Sequence, residues 1–348
     1  MTRFARAGRM TLVMVVVAVL VFTGRMLWAN GLFSSVPTGF LGACKVLAGV
    51  PGVQDIEIVH GTAFLSASSA RGPSDADGIY ALPLSGGKLT KLAGAPKDFH
   101  PRGIGTFRSP DGSGVFLLAV NRRSTGRFSI DSFEVTNAKT NPALVAQGTI
   151  GGGLLTDPQD VVAAGPSAFY VSNHNLKQSF LRRLAGLGAI PGSQILYFNG
   201  MLFRTVVEDV YGARGLLLTP DDHLLVASLT TRSINAFARE PVTGNLTEGK
   251  SLTLDAAPDR ITLDNRGEVW AAGHSNLFHW RGFGADSNAR TSSQIFRVSL
   301  SNGEPQEAQQ VYGNDGKEIA GASVAASLGK RLLIGSSLDD RLLDCTQN

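Results

Sequence analysis

Three arginines, two glutamines and three aspartates open short apolar runs at distant points of the chain: Gln54 with Asp55, Arg102, Gln159 with Asp160, Arg214, and Asp259 with Arg260. A guanidinium is permanently charged, planar and donor-only. It grips carboxylate, phosphate or sulfate with a two-pronged fork and cannot ligate a metal cation. The glutamine amides and the aspartates supply acceptors between the arginines. His274, in "AAGHSN", adds an imidazole that titrates near neutrality, and it or Asp259 could manage a proton. A serine nucleophile has no support, because no G-x-S-x-G elbow occurs and "GPSAF" around Ser167 sits at a strand turn.

A repeat must bring these residues together. The segments "QDIEIVHGTAFLSAS" from Gln54, "RGIGTFRSPDGSGVFLLAV" from Arg102 and "QDVVAAGPSAFYVSN" from Gln159 follow one plan, as do "RGLLLTPDDHLLVAS" from Arg214, "DRITLDNRGEVWAAG" from Asp259 and "ASVAASLGKRLLIGSS" from Ala322. Each has a polar or small pair, an alternating strand, a turn and a second strand. Starts spaced 45 to 63 residues apart predict an all-β, six-bladed β-propeller with about four strands per blade. A parallel-sheet α/β enzyme would need long amphipathic helices between strands, and only 178–187 has mild helical character. The innermost strands line a propeller's tunnel, so the polar openings are expected to converge at one mouth of it.

The chain is 43% hydrophobic and 17% charged over 348 residues, which supports a sizeable core. Its net charge of +4 is dispersed, with no basic run to track phosphates, so nucleic acid is excluded as a partner. Arg3, Arg6 and Arg9 precede an apolar run from Met10 to Phe22 that continues less strictly to Trp28. This is a membrane-directed segment, a signal peptide or a retained anchor helix, and the lack of a clean A-x-A site before Asn30 favours the anchor. The expected division is an anchor over 1–30 and a propeller over 31–348, outside the cytoplasm in a periplasmic, lumenal or extracellular space. Cys44 and Cys345 lie at the two edges of the folded region. They are either a disulfide that latches the ring or two free thiols.

Several stretches resemble the paraoxonases, the arylesterase and lactonase propellers: "FHPRGIGTF", "PQDVVAAGPSAFYVSN", "GLLLTPDDHLLVA", "APDRITLD" with "WAAGHSN", and "ASVAASLGKRLLIGSS". The resemblance runs in order from Cys44 to Cys345 and includes both cysteines of the family's disulfide. It implies a structural calcium held by Asp55, Asp160 and the carbonyl of Ile104, a donor set suited to a hard cation. It also implies a catalytic calcium, whose side-chain ligands fall here on Gln54, Gln159, Arg214, Asp259 and Arg260. Of these Asp259 alone matches the family, and the two arginines would repel the ion, so a catalytic calcium is not expected. The family's dyad histidines fall on Arg102 and Arg122, while His274, and His174 with Asn175, lie at or near positions of pocket histidines.

Two functions follow. One is an ester or lactone hydrolase without the family's calcium mechanism, with His274 or Asp259 handling a proton and Arg102, Arg122, Arg214, Arg260, Gln54 and Gln159 binding substrate. The other is a non-catalytic propeller that binds a small anion or serves a membrane-associated assembly, its arginines and acids forming either an anion trap or an internal salt-bridge plug. Protein partners are not written in the sequence.

Overall fold

The computed structural model describes residues 3–348 apart from 70–71, 110–113, 139–140, 177–178 and 287–289, together with the side chains from Arg9 onward except that of Ser179. The basic flank at Arg3 and Arg6 and most of the "SPDGSG" turn therefore lie outside the described side chains. Helix α1 (Arg3–Ala29) includes a stretch, Arg9–Ala29, long and apolar enough to cross a membrane, and its most apolar window is not buried.

The remainder forms six antiparallel sheets arranged as a propeller. Blade 1 starts on Val53–Val59, blade 2 on Pro101–Arg108, blade 3 on Pro158–Ala163, blade 4 on Ala213–Leu218, blade 5 on Ala257–Leu263 and blade 6 on Ala322–Leu328. These are the strands expected to begin at 54, 102, 159, 214, 259 and 322. Neighbouring blades bury apolar faces between them: Phe64, Ile79, Phe99, Leu117 and Phe133 fill the space between the first two, and Trp270, Ile295, Tyr312 and Ile334 that between the last two. Such alternating inward faces are what fixes strand register.

The ring closes in blade 6. Gly42–Ala48, from the N-terminal side, pairs with the final strand Arg341–Gln347, with Cys44 directly opposite Cys345 and bonded to it. Closure covers the edge of the final strand and ties the two ends of the propeller together in one sheet. No cysteine is free among the described residues.

Two short helices interrupt the sheets: α2 (Ser179–Gly186) in blade 3 and α3 (Leu277–Ala285) in blade 5. Asn276 caps α3, its side-chain oxygen accepting from the Phe278 and His279 N–H groups at 2.9 and 3.0 Å. The end of α1 is seated on both. Buried Asn30 donates from Nδ2 to the Leu187 carbonyl at 3.0 Å, its carbonyl accepts from Leu277 N at 2.9 Å, and its Oδ1 accepts from Arg281 Nη1 at 2.8 Å. At Gly31, φ is +73° and a Cβ would lie 1.8 Å from the Ser275 carbonyl oxygen, so only glycine lets the chain pass there.

Candidate functional site

Every innermost strand carries a register shift at its polar opening: between Val53 and Asp55, Pro101 and Ile104, Pro158 and Asp160, Ala213 and Leu216, Pro258 and Ile261, and Ala322 and Val324. A bulge breaks the strict up-down alternation and re-aims the residues beside it, so that Gln54 and Gln159 line the mouth while Asp55 and Asp160 turn down the axis. This device splits the expected cluster into two layers.

The outer layer lines a cavity of about 480 Å³. Gln54, Arg102, Arg122, Gln159 and Arg214 all reach its wall, as expected, joined by Arg123, Trp280 and Arg281. Arg102 Nη1 lies 2.7 Å from Asp157 Oδ1 and 3.0 Å from the Pro158 carbonyl. Gln54 donates to the Ser68 carbonyl at 2.8 Å. Gln159 donates to the Asp157 carbonyl at 3.0 Å and accepts from Arg214 Nη1 at 2.8 Å. The Arg214 guanidinium lies 5.3 Å above the Trp280 ring, within cation–π range.

These cations strain one another. Burial and the neighbouring Arg214 lower Arg281 to about 10. Arg102 is also lowered, first by burial, with Arg122 and Arg214 adding repulsion against the pull of Asp157. The cavity wall thus carries more positive charge than its own acids balance.

Beside it lies a smaller cavity of about 180 Å³, sharing Arg214, Trp280 and Arg281 with the first and walled by His174 and Asp157. His174 Nδ1 stands 3.7 Å from Asp157 Oδ2, while its Nε2 has no hydrogen-bond partner among the described residues. Burial holds His174 below its ordinary value, partly offset by Asp157. Asp157 is raised by burial but more strongly lowered by His174 and Arg102, so it is ionised at neutral pH. Asn175 lines neither cavity.

The inner layer is closed. Asp259 and Arg260, expected at the mouth, line neither cavity and are 4% and 3% exposed. The bulge after Pro258 turns both inward. His274 is 0% exposed, its Nε2 3.2 Å from Asp259 Oδ2 and its ring stacked on Trp280 at 4.6 Å between centroids. Burial lowers the imidazole, with Asp259 pulling the other way. Burial alone would raise Asp259, but Arg214, His274 and Arg260 together hold it well below the carboxylate range. Enclosed in this way, His274 and Asp259 brace Arg214 and Trp280 from behind the wall.

Asp55, Asp160 and Ile104 also meet in this inner layer, as the resemblance implied. Asp55 accepts from Ile56 N and Ile104 N, both at 2.9 Å, so Ile104 offers its N–H to the acid. Asp160 accepts from Val161 N at 2.9 Å and Leu216 N at 2.8 Å. Among the described residues no group of three or more His, Cys, Asp or Glu side chains is arranged to hold a metal ion.

Sequence reasoning missed Asp157, Arg123, Trp280 and Arg281. Asp157 had a signal, lying just ahead of the "PQD" opening. Trp280 and Arg281 fall in the insertion between strands of blade 5, where no repeat pattern applies.

A family model described as arylesterase matches residues 87–346. Serum paraoxonase/arylesterase 2 of Rattus norvegicus is 29% identical over 322 residues, covering 87% of this chain and 88% of that protein. Serum paraoxonase/arylesterase 1 of Homo sapiens is 27% identical over 311 residues, covering 84% and 86%. Among solved structures, a luciferin-regenerating enzyme superposes with a TM-score of 0.54 at 10% identity over 87% of this chain and 95% of its own. A PQQ-bound aldose sugar dehydrogenase from Streptomyces coelicolor does so with 0.52 at 17% identity over 90% and 99%. At those identities the likeness concerns the fold.

Proposed function

The chain belongs to the arylesterase family, and from that premise we propose that it hydrolyses a small ester or lactone, at the arginine-lined cavity, without a catalytic metal ion. The observation that carries this reading is the excess of guanidinium on the cavity wall, where Arg102, Arg122, Arg123, Arg214 and Arg281 converge. Ester hydrolysis turns a neutral substrate into an oxyanion and then a carboxylate, so fixed cations favour the later species over the first.

Arg214 is well braced for that task, by Gln159, Trp280 and, 3.9 Å from its Nε, Asp259. The positions that the resemblance gives to a catalytic calcium do not fit one. Arg214 and Arg260 have no acceptor atom and repel a cation. Proton handling is better assigned to His174 backed by Asp157 than to His274 or Asp259, because a base must reach the substrate and His174 lines a cavity, as His274 and Asp259 do not. With α1 as an anchor over 1–30, the propeller over 31–348 stands outside the cytoplasm and the substrate is drawn from that side.

A second reading, a non-catalytic receptor for a small anion, is favoured by the same two arginines at family ligand positions. The test is calorimetric titration of the full chain in detergent with inorganic phosphate and with benzoate, beside an assay of aryl-ester and lactone turnover. Turnover inhibited by benzoate supports the hydrolase. Tight anion binding without turnover supports the receptor, and neither result overturns both.

A further inference from the structure

The innermost part of the tunnel contains a cation of the protein's own. Arg260 extends from blade 5 to the axis, where Nη2 donates to the Gln159 carbonyl of blade 3 at 2.9 Å and Nη1 lies 3.5 Å from Asp259 Oδ1. Its Nε has no hydrogen-bond partner among the described residues, yet stands 3.9 Å from Asp55 Oδ2 of blade 1. Asp160 of blade 3 exerts the largest carboxylate attraction on this guanidinium, ahead of Asp259 and Asp55. Three acids from blades 1, 3 and 5 thus share one buried arginine.

We propose that Arg260 is the resident cation of the propeller axis and balances Asp55 and Asp160 in place of a divalent ion, so that this chain holds its fold without calcium. The chemistry supports the substitution. Buried carboxylates need a counter-charge, and a guanidinium supplies one while also donating directed hydrogen bonds. An added ion between Asp55 and Asp160 would face that guanidinium at close range, with no lone pair offered by it. The four backbone N–H groups held by the two acids already satisfy four of their acceptor sites and tie blade 1 to blade 2 and blade 3 to blade 4.

The test compares the full chain in detergent with its Arg260→Gln and Arg260→Lys variants. Thermal midpoints are read in chelator and in millimolar calcium chloride, and calcium content is measured by mass spectrometry. The wild type is expected to carry no stoichiometric calcium and to melt at one temperature in both buffers. Arg260→Gln should melt lower in chelator and recover part of the loss in calcium, while Arg260→Lys, which keeps the charge, should stay indifferent to calcium. A wild-type midpoint that falls in chelator would overturn the proposal, as would calcium retained at one ion per chain or a Gln variant whose loss calcium does not relieve. If Arg260→Gln fails to fold in either buffer, the Lys variant decides: folding and indifference to calcium uphold the proposal, and failure overturns it.

Discussion

Arg214 donates a 2.8 Å hydrogen bond from Nη1 to Gln159 Oε1, joining blade 4 to blade 3 at the cavity wall. In the arylesterase resemblance both positions belong to ligands of one metal ion. Here they bond to each other, and the pair presents a guanidinium to the cavity.

Anion affinity should depend on the exposed arginine as well as the braced one. Arg122 is exposed on the cavity wall and has no carboxylate partner among the described residues. Arg122→Ser is expected to weaken benzoate and phosphate binding about tenfold, the loss of a charge-assisted contact of ~1.4 kcal/mol. The unfolding midpoint should not move. Calorimetry and denaturant titration of the same preparation check both halves.

His174 and His274 should separate cleanly. His174→Gln is expected to lower kcat by about a hundredfold or more, as for removal of a general base, with little change in stability. His274→Gln removes a fully enclosed ring from Asp259 and Trp280 and should cost about 2 kcal/mol of folding free energy. Equal kinetic losses accompanied by equal stability losses would contradict the assignment.

The pH profile follows from burial. A general base works deprotonated, and His174 is held below its ordinary value of 6.5. Turnover should therefore persist on the acid side of 6.5 before falling. The linked stability has the same sign: the folded state binds this proton less readily than the unfolded chain, so stability is full above 6.5 and is lost as pH falls through that value toward the folded one. Asp157, also depressed, contributes stability that is present above 3.8 and is lost on acidification below it. Turnover half-lost well above pH 6.5 would contradict a lowered imidazole.

The latch is testable by substitution. Cys44 and Cys345 close a loop with a sequence separation of 301 residues. By loop-closure entropy such a bond is worth about 3 to 5 kcal/mol. The Cys44→Ser, Cys345→Ser double variant should unfold at lower denaturant concentration by a corresponding amount while keeping its ligand affinity, because both cysteines lie in blade 6, away from the arginine wall.

The blades were legible because the polar opening, strand and turn recur often enough to phase one another, and the closing strand because its cysteine has a partner at the far end. Gln54, Arg102, Gln159 and Arg214 were placed at the mouth for the same reason. The fate of Asp259 and Arg260 was not legible. The bulge after Pro258 turns both of them toward the axis, and alternation of residue types carries no trace of it. His274 looked available as a lone titratable group, but its enclosure depends on Trp280, contributed by a helix outside the repeat. Arg281 was hidden by the same insertion, since it gains its meaning from Asn30 and Arg214 across the fold.

The measurement that bears most directly on the proposed chemistry is turnover of an aryl ester and a lactone by the full chain in detergent, after exhaustive chelation and after calcium is restored. The account predicts the same rate in both conditions, reduced by Arg214→Gln and by His174→Gln. A rate abolished by chelation and restored by calcium would contradict it.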